Sequence, residues 1–484
     1  MSETIDLFIG GRAVPASGGG TFERRNPING DVATVAAAAT PDDARAAVEA
    51  AQAAFGEWSA RPPGERRALL LAAADVLEGK AEAFTAAVTA ETGSPDHWGM
   101  FNLGLAAGML REAASLTTQV TGEVIPSNVP GSVAMAVRQP AGVVVGMAPW
   151  NAPIILGVRA LATPLAVGNT VVFKGSEKCP LTHRLIVDAL HEAGLGDGVV
   201  NYISHDAADA PAVVEAMIAH PATRRVNFTG STAVGREIGK LCGEHLKPVV
   251  LELGGKAPLV ILDDADVDAA VDAAAFGAFA NAGQICMSTE RIIVDSTIAD
   301  EFVEKLSAKA AGLPFGDPSE GPVVLGSVID AETVERCNAL IDDALAKGAT
   351  LVCGGKAEDT LMGPTLIDGV TPEMDIWHQE SFGPVKPITR VSGVDEAVEH
   401  ANDTIYGLSA AVFGGDAARA LDVAHRIESG ICHVNGPTVH DEAQMPFGGV
   451  KASGWGRFGG TAGVHEFTDL RWMTVQTGPR HYPF

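Results

Sequence analysis

GVVVGM at 142–147 begins a series of five short apolar segments with the composition of β-strands, which continues with TVVFKGS at 170–176, VVNYIS at 199–204, RRVNFTGS at 224–231 and PVVLELGG at 248–255. Stretches with the apolar periodicity of amphipathic helices separate these segments. Continuous apolar strands that alternate with such helices are typical of a parallel sheet covered on both faces. The series therefore predicts an α/β domain that binds its ligand at the carboxyl ends of the strands.

A second α/β pattern begins after residue 255. APLVIL at 257–262 predicts a strand, an Ala-rich helix follows it, and further strands are expected at RIIVDS, TLVCGG, PITRVSG and ICHVNG. Two segments fit neither domain: residues 122–140 predict an extended hairpin, and residues 470–484 predict a terminal strand and tail. Because exposed strand edges tend to pair with another chain, these two segments favour a homo-oligomer.

The composition excludes several classes of function. The chain has 484 residues, which is enough for two or three domains. Its 34 basic and 60 acidic side chains give a net charge of −26. A field of that sign repels the phosphates of nucleic acids and the head groups of anionic lipids, so neither is expected as a partner. No unbroken apolar run reaches the roughly 20 residues that a membrane-spanning helix needs.

The cysteines and the N-terminal residues bear on the compartment. Six cysteines are scattered along the chain, at positions 179, 242, 286, 337, 353 and 432. No two of them form a C-x-x-C motif, so the sequence predicts neither a zinc site nor a dithiol, and no metal is expected. The first residues, MSETIDLFIGGR, carry acidic side chains where a signal peptide carries basic ones. These features favour a reducing, cytoplasmic location.

Three side chains are candidates for chemistry. Cys286 follows a Gly-Gln turn in NAGQICMSTE, where it is either an inert buried residue or a nucleophile with an activating neighbour. Glu252 ends an apolar strand, and a carboxylate in that position is either paired, for example with Lys256, or functional. Asn151 lies between two prolines in APWNAP, where its amide either caps a turn or faces a developing oxyanion.

Two turns at the predicted sheet edge have features of a nucleotide site. FTGSTAVG puts Gly230, Ser231 and Gly235 at a strand-to-helix turn, where backbone N–H groups favour a phosphate. The alternative is a tight structural turn, which needs the same small residues. FKGSE puts Lys174 and Glu177 after the second strand. A carboxylate there accepts the ribose hydroxyls of NAD and repels the 2′-phosphate of NADP, whereas the alternative is a solvent-exposed ion pair.

Six motifs occur in the order of a known family: PWNAP, FTGSTAVG, LELGGK, GQIC, ESFGPV and PFGGVKASGWGR. Over essentially its whole length the chain resembles the NAD(P)-dependent aldehyde dehydrogenase superfamily, and the separation of 34 positions between Glu252 and Cys286 also fits. The segments at 148–183, 286–295 and 433–449 are most similar to the salicylaldehyde and vanillin dehydrogenase branch.

The resemblance implies an α/β fold with three parts. These parts are a Rossmann-type NAD-binding domain at 1–121 and 141–254, an α/β catalytic domain at 255–453, and a small β oligomerisation arm at 122–140 and 470–484. Homodimers and homotetramers both occur in the family, so one of the two is expected.

The resemblance also implies a role for each candidate residue. Cys286 corresponds to the nucleophile and Glu252 to the general base, and Asn151 shares the oxyanion hole with the backbone N–H of Cys286. The implied reaction oxidises an aromatic aldehyde to the acid with NAD and water, through a thiohemiacetal and a thioester. The implied cofactor contacts are Lys174 and Glu177 at the adenosine ribose, Gly230, Ser231 and Gly235 at the pyrophosphate, Glu380 and Phe382 at the nicotinamide and its ribose, and Trp150 at the cofactor-side wall.

The substrate contacts are expected at Arg159 and at the neighbours of Cys286, Ile285 and Met287. Many relatives have a bulky aromatic residue at position 159. An arginine there would bind a phenol, a phenolate or a carboxylate, or would pair with an acidic side chain. A second departure from the family is Gly175, where many members have proline. Glu252 argues against a relative that transfers the acyl group to coenzyme A, because that reaction needs no water-activating base.

Three interpretations of the function remain open from the sequence. The first is oxidation of an aromatic aldehyde. The second is the same chemistry on an aliphatic aldehyde or a semialdehyde, whose carboxylate Arg159 would serve equally well. The third is a non-catalytic, NAD-binding structural protein, which the joint presence of Cys286, Glu252 and Asn151 disfavours.

Overall fold

The computed structural model describes residues 4–484, which form two α/β units and a small separate β-sheet. The strands are β1 (Leu7–Ile9), β2 (Arg12–Val14), β3 (Thr21–Arg25), β4 (Val32–Ala37), β5 (Gly122–Ile125), β6 (Ser132–Pro140), β7 (Val143–Met147), β8 (Thr170–Lys174), β9 (Val200–Ile203), β10 (Thr223–Thr229), β11 (Val249–Glu252), β12 (Ala257–Ile261), β13 (Thr289–Asp295), β14 (Thr350–Cys353), β15 (Thr365–Asp368), β16 (Val385–Val391), β17 (Ser409–Phe413), β18 (Ile431–Val434), β19 (Gly454–Trp455) and β20 (Thr468–Gln476).

The helices cover both α/β sheets. They are α1 (Pro41–Ala60), α2 (Pro63–Gly79), α3 (Ala81–Thr92), α4 (Asp96–Leu116), α5 (Pro153–Ala166), α6 (Pro180–Glu192), α7 (Ala210–Ala219), α8 (Thr232–Glu244), α9 (Val267–Phe279), α10 (Ala299–Ala311), α11 (Ala331–Ala346), α12 (Asp375–His378), α13 (Val394–Asn402), α14 (Ala417–His425) and α15 (Gly460–Glu466). Within residues 4–484, none of these helices is both long and apolar enough to cross a lipid bilayer.

The predicted parallel domain is confirmed by the first sheet, whose strand order within the described residues is β19-β11-β10-β7-β8-β9-β1-β2. The five strands β11, β10, β7, β8 and β9 run parallel, and the edge strands are antiparallel. Val144 packs in the apolar cluster that contains α5, whereas Val143 and Val145 pack with α1 on the other face. Burial on both faces explains why β7 is apolar at nearly every position.

The second sheet has the order β14-β15-β16-β13-β12-β17-β18. Its strand pairs are parallel except for β14, which is antiparallel to β15. The sequence predicted β12, β13, β14, β16 and β18, but β15 and β17 were missed. The whole of β17, SAAVF, is buried, and a short run of small residues lacks the alternation that identifies a strand.

The predicted hairpin and the C-terminal strand form a third, antiparallel sheet with the order β20-β6-β5. β20 begins two residues before position 470, pairs with β6 along its whole length, and is followed by residues 477–484 in irregular structure. Val124, Leu470 and Trp472 expose 74%, 60% and 80% of their surface on this sheet. The strand register places Val124 on one face and Leu470 and Trp472 on the other, so both faces of the sheet expose apolar side chains. The domain boundaries that the resemblance implies stay a prediction.

Helix α5 positions two candidate residues, Asn151 just before its first turn and Arg159 within it. Pro153 lies in the first turn, where the missing N–H leaves no helical hydrogen bond unmade. Pro164 lies in the last turn and its carbonyl accepts a hydrogen bond from the Asn169 N–H at 3.0 Å. Every residue of α5 is buried, and the helix packs against α4 and α6. The core thus fixes the direction of both side chains.

Candidate active site

The loop that carries Cys286 is a left-handed turn. Asn281, Ala282 and Gly283 have φ angles of 49°, 54° and 72° in succession. A left-handed conformation costs a non-glycine residue about 1–2 kcal/mol. Glycine is required at the third position, because an added Cβ would lie 2.3 Å from the Gly383 carbonyl oxygen. Such strain persists only where surrounding contacts hold it.

Asn151 supplies those contacts. Its backbone carbonyl accepts hydrogen bonds from Asn281 Nδ2 at 2.8 Å and from Trp98 Nε1 at 3.1 Å. Its side-chain Nδ2 donates to the Gln284 carbonyl at 3.0 Å. An amide nitrogen carries two hydrogens, so the second remains available beside Cys286. The amide therefore joins two distant segments and does not cap its own turn.

Glu252 lies close to Cys286. Glu252 Oε2 is 4.0 Å from Cys286 Sγ, and Glu252 Oε1 is buried without a hydrogen-bond partner among residues 4–484. Burial raises the pKa of Glu252 to about 8, against the opposing charge of Arg159. Burial and the adjacent Glu252 charge also hold the pKa of Cys286 well above its ordinary value. The alternative pairing of Glu252 with Lys256 is wrong, because Lys256 Nζ donates to Glu290 at 2.9 Å.

A cavity of about 240 Å³ opens over Cys286. Its wall includes the three predicted substrate residues Arg159, Ile285 and Met287, together with Asn151. The rest of the wall is mostly apolar and aromatic, and includes Trp98, Phe101, Leu105, Ile155, Leu156, Phe276, Val439 and Phe447. The sequence did not predict these residues, since they lie on several distant segments that only the fold brings together.

The sequence left two alternatives for Arg159: a position at the substrate, or an ion pair with an acidic side chain. In the structure it both lines the cavity and forms an ion pair. Its guanidinium pairs with the Asp441 carboxylate, and both side chains are more than nine-tenths buried. The guanidinium carbon also lies 4.1 Å from the centre of the Phe447 ring. Asp441 lines the same cavity. The sequence offered no sign of this pair, because 282 positions separate its members.

Lys174 and Glu177 lie together at the carboxyl end of β8. Lys174 Nζ is 3.7 Å from Glu177 Oε2, and the two side chains expose only 14% and 30% of their surface. Burial raises the pKa of Glu177, but the charge of Lys174 together with a backbone hydrogen bond and the nearby His205 and Lys178 leaves that pKa lowered. Gly175 is required between them, because a Cβ there would lie 2.6 Å from the Tyr202 ring. The ion pair is therefore partly buried at the sheet edge rather than solvent-exposed.

The turn between β10 and α8 needs small residues for packing. A Cβ on Gly235 would lie 2.3 Å from the Leu253 side chain. Ser231 is the N-cap of α8 and its hydroxyl accepts from the Val234 N–H at 3.3 Å. The Gly230 N–H already donates to the Glu252 carbonyl at 3.0 Å. The Gly230 N–H therefore already has an acceptor, whereas the first N–H groups of a helix have no partner within the helix.

Glu380 and Phe382 lie where the two α/β units meet. Glu380 Oε1 accepts a hydrogen bond from the Gly255 N–H at 3.0 Å. Burial, with the nearby charge of Glu290, raises the pKa of Glu380 to about 7. Phe382 has a φ of 43° and its ring meets that of Trp150 edge to face, with the centroids 5.8 Å apart.

A buried network of charged side chains holds the loop that carries Glu380 and Phe382. The sequence did not predict this network. Glu290 accepts from Lys256 Nζ at 2.9 Å, from Lys386 Nζ at 2.6 Å and from the Ser381 hydroxyl at 2.6 Å. Burial opposes ionisation of Glu290, but the two lysines lower its pKa to about 2. Ser381 lies between Glu380 and Phe382, so the network fixes the backbone of the loop that carries both.

The sequence of residues 14–473 matches the aldehyde dehydrogenase family. This chain belongs to the aldehyde dehydrogenase family. The enzyme is 63% identical to vanillin dehydrogenase from Pseudomonas sp. (strain HR199 / DSM 7063), over 99% of each chain.

Two solved structures of other aldehyde dehydrogenases share the enzyme's fold. The crystal structure of a salicylaldehyde dehydrogenase from Pseudomonas putida G7, complexed with salicylaldehyde, has a TM-score of 0.98 and 47% identity, covering 99% of this enzyme and 100% of that chain. Betaine aldehyde dehydrogenase from Staphylococcus aureus, in complex with NAD+, has a TM-score of 0.94 and 32% identity, covering 99% and 95%. The predicted fold and family are thereby confirmed.

Replacement of Glu290 by glutamine tests the network. Lys256 and Lys386 would remain buried without a counter-charge, so we expect the free energy of unfolding to fall by about 3–5 kcal/mol. Urea titration followed by circular dichroism measures the change. The control Glu301→Gln removes a carboxylate from the exposed pair with Lys305 and should cost at most about 1 kcal/mol. Equal decreases in the free energy of unfolding of the two variants would contradict the stabilising role of Glu290.

Proposed function

We propose that the enzyme oxidises aromatic aldehydes of the salicylaldehyde, vanillin or benzaldehyde type to carboxylic acids, with NAD as oxidant and water as second substrate. One observation carries the proposal: Cys286 lies in a cavity of about 240 Å³ whose wall is rich in aromatic side chains, with Asn151 and Glu252 beside it. Flat apolar rings suit such a wall. The names of the relatives, vanillin and salicylaldehyde dehydrogenase, support the same substrate class.

The side chains around Cys286 account for each step on the protein. Cys286 loses its thiol proton to water, and the resulting thiolate adds to the aldehyde carbon and forms a thiohemiacetal. The free hydrogen of Asn151 Nδ2 and the Cys286 N–H stabilise the oxyanion, an effect of about 3 kcal/mol per donor in comparable sites. After oxidation, Glu252 accepts a proton from water, which then hydrolyses the thioester. A pKa of about 8 suits Glu252 to this exchange of protons near neutral pH.

The residues at the carboxyl end of the first sheet fit a dinucleotide. Lys174 and Glu177 form a polar pair at the end of β8, and the first turn of α8 offers backbone donors to a pyrophosphate. Phe382 packs against Trp150, and Glu380 accepts a hydrogen bond from the Gly255 N–H. NAD, when bound, supplies the acceptor for the hydride that leaves the thiohemiacetal.

Paired substitutions test the roles of Cys286 and Glu252. We expect Cys286→Ala to abolish NADH formation from benzaldehyde while NAD binding persists. Glu252→Gln should give a burst of NADH followed by slow turnover, because only hydrolysis needs the base. In the unchanged enzyme, steady-state turnover should rise as the pH increases through about 8, since the carboxylate form of Glu252 then becomes the major one. Stopped-flow absorbance measures both phases.

Two outcomes would oppose these assignments. Normal steady-state turnover in Glu252→Gln would remove that residue from the role of base. Loss of NAD binding in Cys286→Ala would show that the substitution disturbed the fold, and Cys432→Ala, which changes a cysteine on β18 outside the cavity lining, is the matched control.

Preference for NAD over NADP is proposed to depend on Glu177. Its carboxylate accepts ribose hydroxyls and repels a 2′-phosphate. We expect Glu177→Gln to raise kcat/KM for NADP by about tenfold or more, because a close pair of like charges costs several kcal/mol. The control Glu192→Gln removes an equal charge at the far end of α6. An unchanged ratio of kcat/KM for the two cofactors in Glu177→Gln would contradict this role.

We further propose that the enzyme is a cytoplasmic homodimer or homotetramer assembled through the β5–β6–β20 sheet. All six cysteines are free thiols, as is typical of proteins in a reducing compartment. The exposed apolar side chains of the sheet and the edge strand β5 suit pairing with a second copy of the chain.

Substitution on the arm tests this assembly. Trp472→Glu adds a charge at a side chain that is 80% exposed in the single chain, so we expect it to lower the molar mass measured by light scattering after size-exclusion chromatography. Leu71→Glu, on the exposed face of α2, should leave the mass unchanged. An unaltered mass for Trp472→Glu would place the interface elsewhere.

A further inference from the structure

The ion pair between Arg159 and Asp441 is an unusual component of a cavity for an apolar ring. The two side chains expose 6% and 9% of their surface, and both line the cavity over Cys286. They also line a smaller neighbouring cavity, together with Phe447, so the pair forms part of the partition between the two spaces. Among residues 4–484, the Asp441 carboxylate accepts a hydrogen bond from Arg159 alone.

A buried arginine without a partner would attract a carboxylate. A charged group removed from water needs a counter-charge, and a guanidinium binds carboxylates in two parallel hydrogen bonds. An aldehyde that carries a carboxylate, such as a semialdehyde or a carboxylated ring, would supply one. In this cavity Asp441 already occupies the position of the counter-charge, since it pairs with the guanidinium that lies over the Phe447 ring.

A carboxylate on the substrate would therefore enter an unfavourable field. It would meet Asp441, and Glu252 adds negative charge when it is ionised. Arg159 has no unpaired charge to compensate for the desolvation of the incoming group. An uncharged ring meets neither penalty, because the rest of the wall is mostly apolar.

We propose that Asp441 is a specificity-determining residue, which neutralises Arg159 and thereby makes the cavity reject aldehydes that carry a carboxylate while it accepts uncharged ring aldehydes. This inference rests on the proposed function, and it assigns the choice between aromatic aldehydes and semialdehydes to one side chain. The pair as a whole excludes the carboxylated substrates that Arg159 alone would select.

The test is a charge series in the cavity. Arg159→Met leaves a net charge of −1 on the pair, the unchanged enzyme and the double variant Arg159→Met/Asp441→Asn leave 0, and Asp441→Asn leaves +1. For each protein kcat/KM is measured with 4-carboxybenzaldehyde and with its methyl ester, which has nearly the same shape and no charge. The ratio of the two values reports the response to charge and cancels general losses of activity.

We expect the ratio to follow the charge of the pair. It should rise about tenfold or more in Asp441→Asn, fall by a similar factor in Arg159→Met, and stay close to that of the unchanged enzyme in the double variant. Asp395→Asn removes a charge from an exposed pair with Arg426, outside the cavity lining, and should leave the ratio unchanged. Thermal unfolding of each variant verifies the fold.

A ratio that stays constant across the folded variants would overturn the inference. If Asp441→Asn fails to fold because Arg159 is left unpaired, the comparison between Arg159→Met and the double variant decides, since only the charge of residue 441 differs between them. Failure of the proposed function is distinct: the unchanged enzyme would then oxidise neither the ester nor benzaldehyde.

Discussion

The arrangement of the site depends on the hydrogen bonds that join Asn151 to the Cys286 loop. Asn151 follows β7 of the first sheet, and the loop lies between β12 and β13 of the second one. Asn281 and Gln284, from that loop, bond to the backbone and side chain of Asn151. These bonds hold a left-handed turn that would otherwise be unfavourable. They also bring the thiol, the amide donor and the Glu252 carboxylate from two α/β units into one place.

Burial has a large effect on the pKa values of the carboxylates near Cys286. Glu252 and Glu380 have raised pKa values, about 8 and about 7, because little water reaches them. Glu290, which is equally buried, has a pKa of about 2 because two lysines surround it. The same residue type therefore has a pKa near neutral pH where it is buried without a cation in contact, and a strongly lowered pKa where two lysines bind it.

Much of the fold was predictable because the sequence patterns that indicate it lie within short continuous segments. The runs that became β7 to β11 are apolar on both faces, and the motifs around Cys286 and Glu252 lie on short continuous segments. Family resemblance supplied the roles proposed for them. The pair of Arg159 with Asp441 was not predictable, because its members are 282 positions apart and either residue alone is compatible with a solvated surface. The Glu290 network was missed for the same reason, since Lys386 is on a different strand.

The proposed mechanism requires Cys286 to carry the substrate as a thioester within the aromatic cavity. The most direct measurement is peptide mass spectrometry after rapid acid quenching of the enzyme during turnover of benzaldehyde with NAD. We expect a benzoyl group on the peptide that contains Cys286 and on no other cysteine. Turnover without acylation of that peptide, or with the acyl group on another cysteine, would contradict the proposed mechanism.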